Sequence, residues 1–153
     1  MDTLILIHKL LGTKYVFWDG REWSSNNKGP FYVSKDKNIN LNYIRNNGCN
    51  CAGFINLLFR NKCIEIPDFD SDYPGGTYAY GFGCKWERYK KNNNYPKYSL
   101  LLKPYIEGED EGHIALVLEN NKMAHCYPIK GIIIEDIKHD MFEYICTEYS
   151  DKL

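Results

Sequence analysis

The sequence predicts an α+β fold, with N-terminal helices packed on a C-terminal antiparallel sheet. Three observations predict it. Residues 2–11 and the segment after Cys51 carry helix-like apolar patterning. Residues 113–147 fall into four short β-prone runs. Between them, at about 62–111, Pro and Gly break the chain repeatedly. Helices first and a strand meander second is a layered α+β arrangement.

The elements follow in order. Residues 2–11 form a first amphipathic helix, stopped at Gly12, a residue suited to a C-cap. Lys14-Tyr15-Val16-Phe17-Trp18 is a short β-prone run, and Asp19-Gly20 turns the chain. Residues 20–40 are polar and read as a surface loop. Asn46-Asn47-Gly48 reads as a turn before Cys51, and Phe54-Ile55-Asn56-Leu57-Leu58-Phe59 as a buried helix. Pro67, Pro74-Gly75-Gly76, Gly81, Gly83, Pro96 and Pro104 make residues 62–111 an irregular insertion, with a helix over roughly 84–92. Strands are expected at 113–119, 122–127, 131–137 and 142–147, with Asn120-Asn121 as a tight hairpin turn. No internal repeat or linker divides the chain, so residues 1–153 read as a single domain.

Composition excludes several classes. The chain is 44% hydrophobic, enough for a packed core. A formal net charge of −1 offers no basic footprint, so a nucleic-acid partner is not expected. Lys90-Lys91-Asn92-Asn93-Asn94 reads as a solvated loop. No apolar run approaches the ~18–20 residues that span a bilayer, so no membrane span is expected. The N-terminus lacks a basic region and a cleavage site, so no signal peptide is read. The six cysteines are therefore expected mostly as free thiols in a reducing compartment, the cytoplasm or, for a virus-encoded chain, the virion or host cell. Abundant Asn, Lys, Ile and Tyr with scarce Arg is the bias of an AT-rich genome. The 13 Tyr either wall a groove for an extended ligand or cover a small mixed core.

The chemistry centres on Asn50-Cys51-Ala52-Gly53-Phe54. A cysteine at a helix start feels unpaired N–H groups and the positive end of the helix dipole, which lowers a thiol from about 8.5 into the range ~3.5–7.5. The same N–H groups can hold an oxyanion. A base is needed, and His113 and His125 lie on the two strands of the expected hairpin. A turn at Asn120-Asn121 puts His113 opposite about residue 128 and His125 opposite about residue 116. That separates the two by three residues along a strand, roughly 10 Å. A bulge would change the register. His8 and His139 read as structural or surface histidines. Zinc at Cys49-x-Cys51 with His125-Cys126 fits poorly, because zinc knuckles space their ligands two to four residues apart. No metal and no cofactor are expected.

Four segments in this order resemble the NlpC-type cysteine peptidases, a papain-like family that cleaves bacterial cell-wall peptides. They are Leu10-Leu11-Gly12-Thr13-Lys14-Tyr15-Val16-Phe17, the Cys51 pentapeptide, Gly112-His113-Ile114-Ala115-Leu116-Val117-Leu118 and Lys122-Met123-Ala124-His125. The resemblance implies a papain-like fold, with Cys51 as nucleophile, His113 as general base and His125 as the group that orients His113. Tyr15 would aid the oxyanion hole or the substrate subsite. It implies a peptide or isopeptide substrate, a cell-wall peptide among them. Asn50 and Ala52 depart from the family's Asp and Ser, Trp18-Asp19-Gly20 from its Gly-Gly, and the Cys51–His113 gap is long. These changes point to an altered substrate pocket. Two alternatives stand beside the peptidase: a catalytically silent binding module, and an acyltransferase or lipid hydrolase with an apolar groove formed by residues 73–89.

Overall fold

The computed structural model describes residues 1–16, 41–66, 77 and 84–153. The Asp19-Gly20 turn, the 20–40 loop and most of the 73–89 groove lie outside the described residues.

Helix α1, Thr3–Leu10, starts where Asp2 accepts the Ile5 N–H at 3.1 Å, and it buries Leu6, Ile7 and Leu10. The chain turns at Gly12, whose φ of +85° suits glycine. Helix α2 spans Leu41–Asn47 and leads through Gly48 to helix α3, Cys51–Asn61. Asn50 caps α3, its side-chain oxygen accepting the Gly53 N–H at 2.8 Å. The residue that departs from the family pattern thus still does the work of an N-cap.

Six strands follow: β1 Glu87–Arg88, β2 Leu100–Lys103, β3 His113–Val117, β4 Lys122–Tyr127, β5 Gly131–Asp136 and β6 Tyr144–Cys146. A 3₁₀ turn at His139–Met141 precedes β6. The strands form one sheet in the order β1-β6-β2-β3-β4-β5, with every neighbouring pair antiparallel. One face carries Leu100, Leu102, Ile114, Leu116, Ala124 and Ile132 against α1 and α3. The other carries Leu101, Ala115, Val117, Met123 and Ile145 against Phe142. Strands β2 and β3 are buried on both faces, so their sequences are apolar without alternation.

Three expectations change. Residues 84–92 do not form a helix: Glu87 and Arg88 pair with Ile145 and Tyr144 at the sheet edge. The Arg88 guanidinium lies 4.9 Å from the Tyr144 ring centre, so edge pairing overrides local propensity. Residues 62–111 are not irregular throughout, because β2 lies there at the middle of the sheet. The β3–β4 register is one residue tighter than expected, with Leu116 opposite Ala124. The Leu118 N–H bonds the Lys122 carbonyl at 2.8 Å, which makes the loop three residues, Glu119–Asn121, instead of two. Among the described residues, no helix is long and apolar enough to cross a membrane.

Candidate active site

Three backbone segments converge at the N-terminus of α3. Tyr15 forms a parallel bridge with Cys49, two residues before Cys51, with Val16 N–H to Cys49 carbonyl at 3.0 Å. Gly48 allows this approach: a Cβ there would stand 2.5 Å from Val16 and 2.7 Å from the Lys14 carbonyl. At the start of β3, Gly112 holds φ +74°, where a Cβ would lie 2.8 Å from the Lys103 carbonyl. The Gly112 N–H also bonds Asp110, which pairs with Lys103 at 2.8 Å. These contacts fix the entry into His113.

Cys51, His113 and Tyr15 line one cleft of about 400 Å³, together with Lys103, Glu111 and Tyr127. That volume suits a ligand site. Cys51 and His113 are each 7% exposed, and His125 is fully buried. Among the described residues, no hydrogen bond joins the Cys51 thiol to His113. Catalytic contacts are often loose in a free enzyme and tighten on substrate.

The two histidines do touch. The tighter register, continued along the strands, sets His113 opposite Tyr127, so His125 becomes its diagonal neighbour on the same face. His113 Nε2 and His125 Nδ1 are 2.8 Å apart, with the rings edge-to-face at 5.0 Å. His125 Nε2 lies 3.2 Å from Glu135 Oε2, and Lys138 reaches the other Glu135 oxygen at 3.3 Å. Sequence reasoning missed Glu135. The signal was available, because His125 pairs with Ile133 and the residue two further along β5 shares its face.

This chain of contacts fixes the tautomers. A carboxylate only accepts, so His125 Nε2 carries the proton and donates to Glu135. Neutral His125 then accepts at Nδ1, so His113 Nε2 must donate. The remaining nitrogen of His113, Nδ1, keeps its lone pair. Burial lowers the His113 pKa to about 3, assisted by His125 and Lys103. Burial also lowers His125, opposed by Glu135. Burial resists ionisation of Glu135, but His125 and Lys138 outweigh it and hold that carboxyl below its usual range.

The thiol departs from expectation. Burial pushes Cys51 up to about 12, although N–H groups of Ile114, Ala52 and Cys51 itself favour the thiolate. At Cys51 desolvation outweighs the helix N-terminus, so burial favours the neutral thiol just as it favours the neutral imidazole at His113. Burial raises Tyr15 as well, leaving its hydroxyl a proton donor. Cys49 and Cys126 lie below the site with sulfurs 3.9 Å apart, and the Cys126 thiol donates to the Cys49 carbonyl at 3.2 Å. His8 is exposed and bonds the Leu4 carbonyl, while His139 bonds the Tyr89 hydroxyl, both outside the cleft.

The fold of this chain, a few helices packed on one antiparallel sheet, is shared by two solved structures of NlpC/p60 proteins. The NlpC/p60 domain of the peptidoglycan hydrolase SagA superposes with a TM-score of 0.54 at 14% identity, over 94% of each chain. A protein similar to lipoprotein of the NLP/P60 family, from Staphylococcus aureus subsp. aureus Mu50, gives 0.52 at 14% identity. There 95% of this chain covers 40% of that one. No protein-family model and no curated protein matches the sequence.

Proposed function

We propose that this chain is a single-domain cysteine hydrolase acting on a peptide or isopeptide bond, with bacterial cell-wall peptides as the first substrates to test. The observation that carries the reading is the run His113–His125–Glu135, which leaves Nδ1 of His113 as an unprotonated base on a residue that lines the same cleft as the Cys51 thiol. The structural neighbours bear on the substrate class, since one is named a peptidoglycan hydrolase.

Cys51 Sγ attacks the substrate carbonyl carbon as its proton passes to His113 Nδ1. The N–H groups at the start of α3 and the Tyr15 hydroxyl support the oxyanion. His125 and Glu135 stabilise the imidazolium through the hydrogen-bond chain. The C–N bond breaks as His113 returns the proton to the leaving amine, giving an S-acyl enzyme and a free amine. Water, deprotonated by His113, then releases the carboxylic acid and regenerates the thiol.

The test is to incubate the protein with purified peptidoglycan and its soluble stem peptides, following products by mass spectrometry. New amine and carboxyl termini are expected from the parent chain and not from Cys51→Ala or His113→Ala. Full activity in either variant would sink the assignment. The burial of Cys51 favours a second reading, a binding module on the same fold that never turns over. It predicts peptide binding with no acyl adduct on Cys51 after rapid quenching.

A further inference from the structure

A second cluster of reactive groups lies away from the cleft. The sulfurs of Cys84 and Cys146 and a carboxylate oxygen of Glu148 all stand within 4.8 Å of one another. Cys146 ends β6, and the β1–β6 register, continued outward, sets Cys84 opposite Glu148. The edge of the sheet therefore brings together two thiols and a carboxylate from segments more than sixty residues apart.

One edge of the cluster has the length a tetrahedral zinc ion needs. Tetrahedral zinc, with Zn–S about 2.3 Å and Zn–O about 2.1 Å, requires an S···O edge of about 3.6 Å. Cys146 Sγ and Glu148 Oε1 are 3.5 Å apart. Two sulfur donors select zinc over magnesium or calcium. An outer contact is also in place: the Lys85 N–H holds Glu148 Oε1 at 3.0 Å. Such partners orient metal ligands. A disulfide between the two cysteines would give the carboxylate nothing to do.

We propose that Cys84, Cys146 and Glu148 bind a zinc ion, with water as the fourth ligand, and that this ion fastens the residue-84 segment to β6. Binding releases the two thiol protons to solvent. The cluster lies apart from the cleft: the Tyr149 ring beside it packs on Phe59 at 4.8 Å, more than two turns along α3 from Cys51.

The test uses the full chain, reduced and stripped of metal, titrated with Zn²⁺ and with Co²⁺ as a spectroscopic stand-in. One equivalent should bind with thiolate-to-cobalt charge-transfer absorption and tetrahedral bands, release of protons and a raised Tm. Cys84→Ser and Cys146→Ser should abolish the charge-transfer band, while Cys63→Ser keeps it. Glu148→Gln should weaken binding by about 10–100-fold with folding retained. No stoichiometric binding would overturn the proposal. So would a cobalt spectrum unchanged in Cys84→Ser, or a Cys84–Cys146 disulfide in the freshly isolated chain. None of these readouts depends on hydrolase activity.

Discussion

Replacing Gly131 by Ala tests how the sheet and the first loop are clamped together. Gly131 opens β5 at φ +73°, a conformation that costs a side-chain-bearing residue roughly 1–2 kcal/mol. The added Cβ would fall 2.1 Å from the Thr13 carbonyl oxygen and 3.0 Å from its carbon. Both are backbone atoms, so no side chain can rotate aside, and overpacking of this kind adds about 1–3 kcal/mol. Relief means moving Thr13 away, which strains two backbone bonds, Gly12 N–H to Ile132 carbonyl at 3.0 Å and Ile132 N–H to Thr13 carbonyl at 2.9 Å. The loss should total about 2–5 kcal/mol, a large share of the roughly 5–15 kcal/mol that holds a domain folded. Urea unfolding followed by far-UV circular dichroism reads it as a lower midpoint at unchanged slope. Tyr15 lies two residues beyond Thr13, so any hydrolysis should fall by more than the unfolded fraction explains. A midpoint equal to that of the parent chain would refute the reasoning, because a Cβ cannot be accommodated there without movement.

Other expectations concern ionisation and orientation. His113 has its pKa lowered to about 3 by burial, so the unfolded chain binds a proton there before the native chain does. Stability should be intact above pH 6.5 and drain away below it, by about 2 kcal/mol at pH 5 from this group alone; a midpoint unchanged between pH 7.5 and 5 would contradict the burial. Glu135→Leu should leave folding intact and cut turnover by up to about 100-fold through loss of orientation. The ¹⁵N spectrum of His125 should then lose its fixed Nε2–H pattern, and Glu135→Gln should recover part of the rate. With the Cys51 thiol pushed up to about 12, iodoacetamide should alkylate it about 30-fold more slowly than an ordinary thiol at neutral pH, with the rate climbing steadily into alkaline solution. Fast labelling with a plateau below pH 7 would instead mean a preformed thiolate–imidazolium pair.

Much of this was legible because it rests on local rules. The start of α3 follows from a turn, a capping Asn and an apolar run, and the stop of α1 follows from Gly12. What escaped depended on partners. Leu100-Leu101-Leu102 is buried on both faces and so has no alternation to mark it as a strand. Glu87-Arg88 is a strand only because β6 lies beside it. The His113–His125 contact turned on one loop residue: a two-residue turn separates the rings, and the three-residue loop brings them within 2.8 Å. At Cys51 a helix N-terminus is visible in sequence, and the depth of burial that opposes it is not.

The sheet order carries a kinetic consequence. Strand β6, at residues 144–146, inserts between β1 and β2 and covers the outer edge of β2. During synthesis β2 emerges some forty residues earlier and waits with its backbone donors and acceptors unpaired along an apolar Leu-Leu-Leu run. Exposed strand edges of that kind recruit other chains. Nascent or truncated forms that stop before Tyr144 should therefore self-associate, and this late-made strand acts as the lock that keeps the sheet to itself.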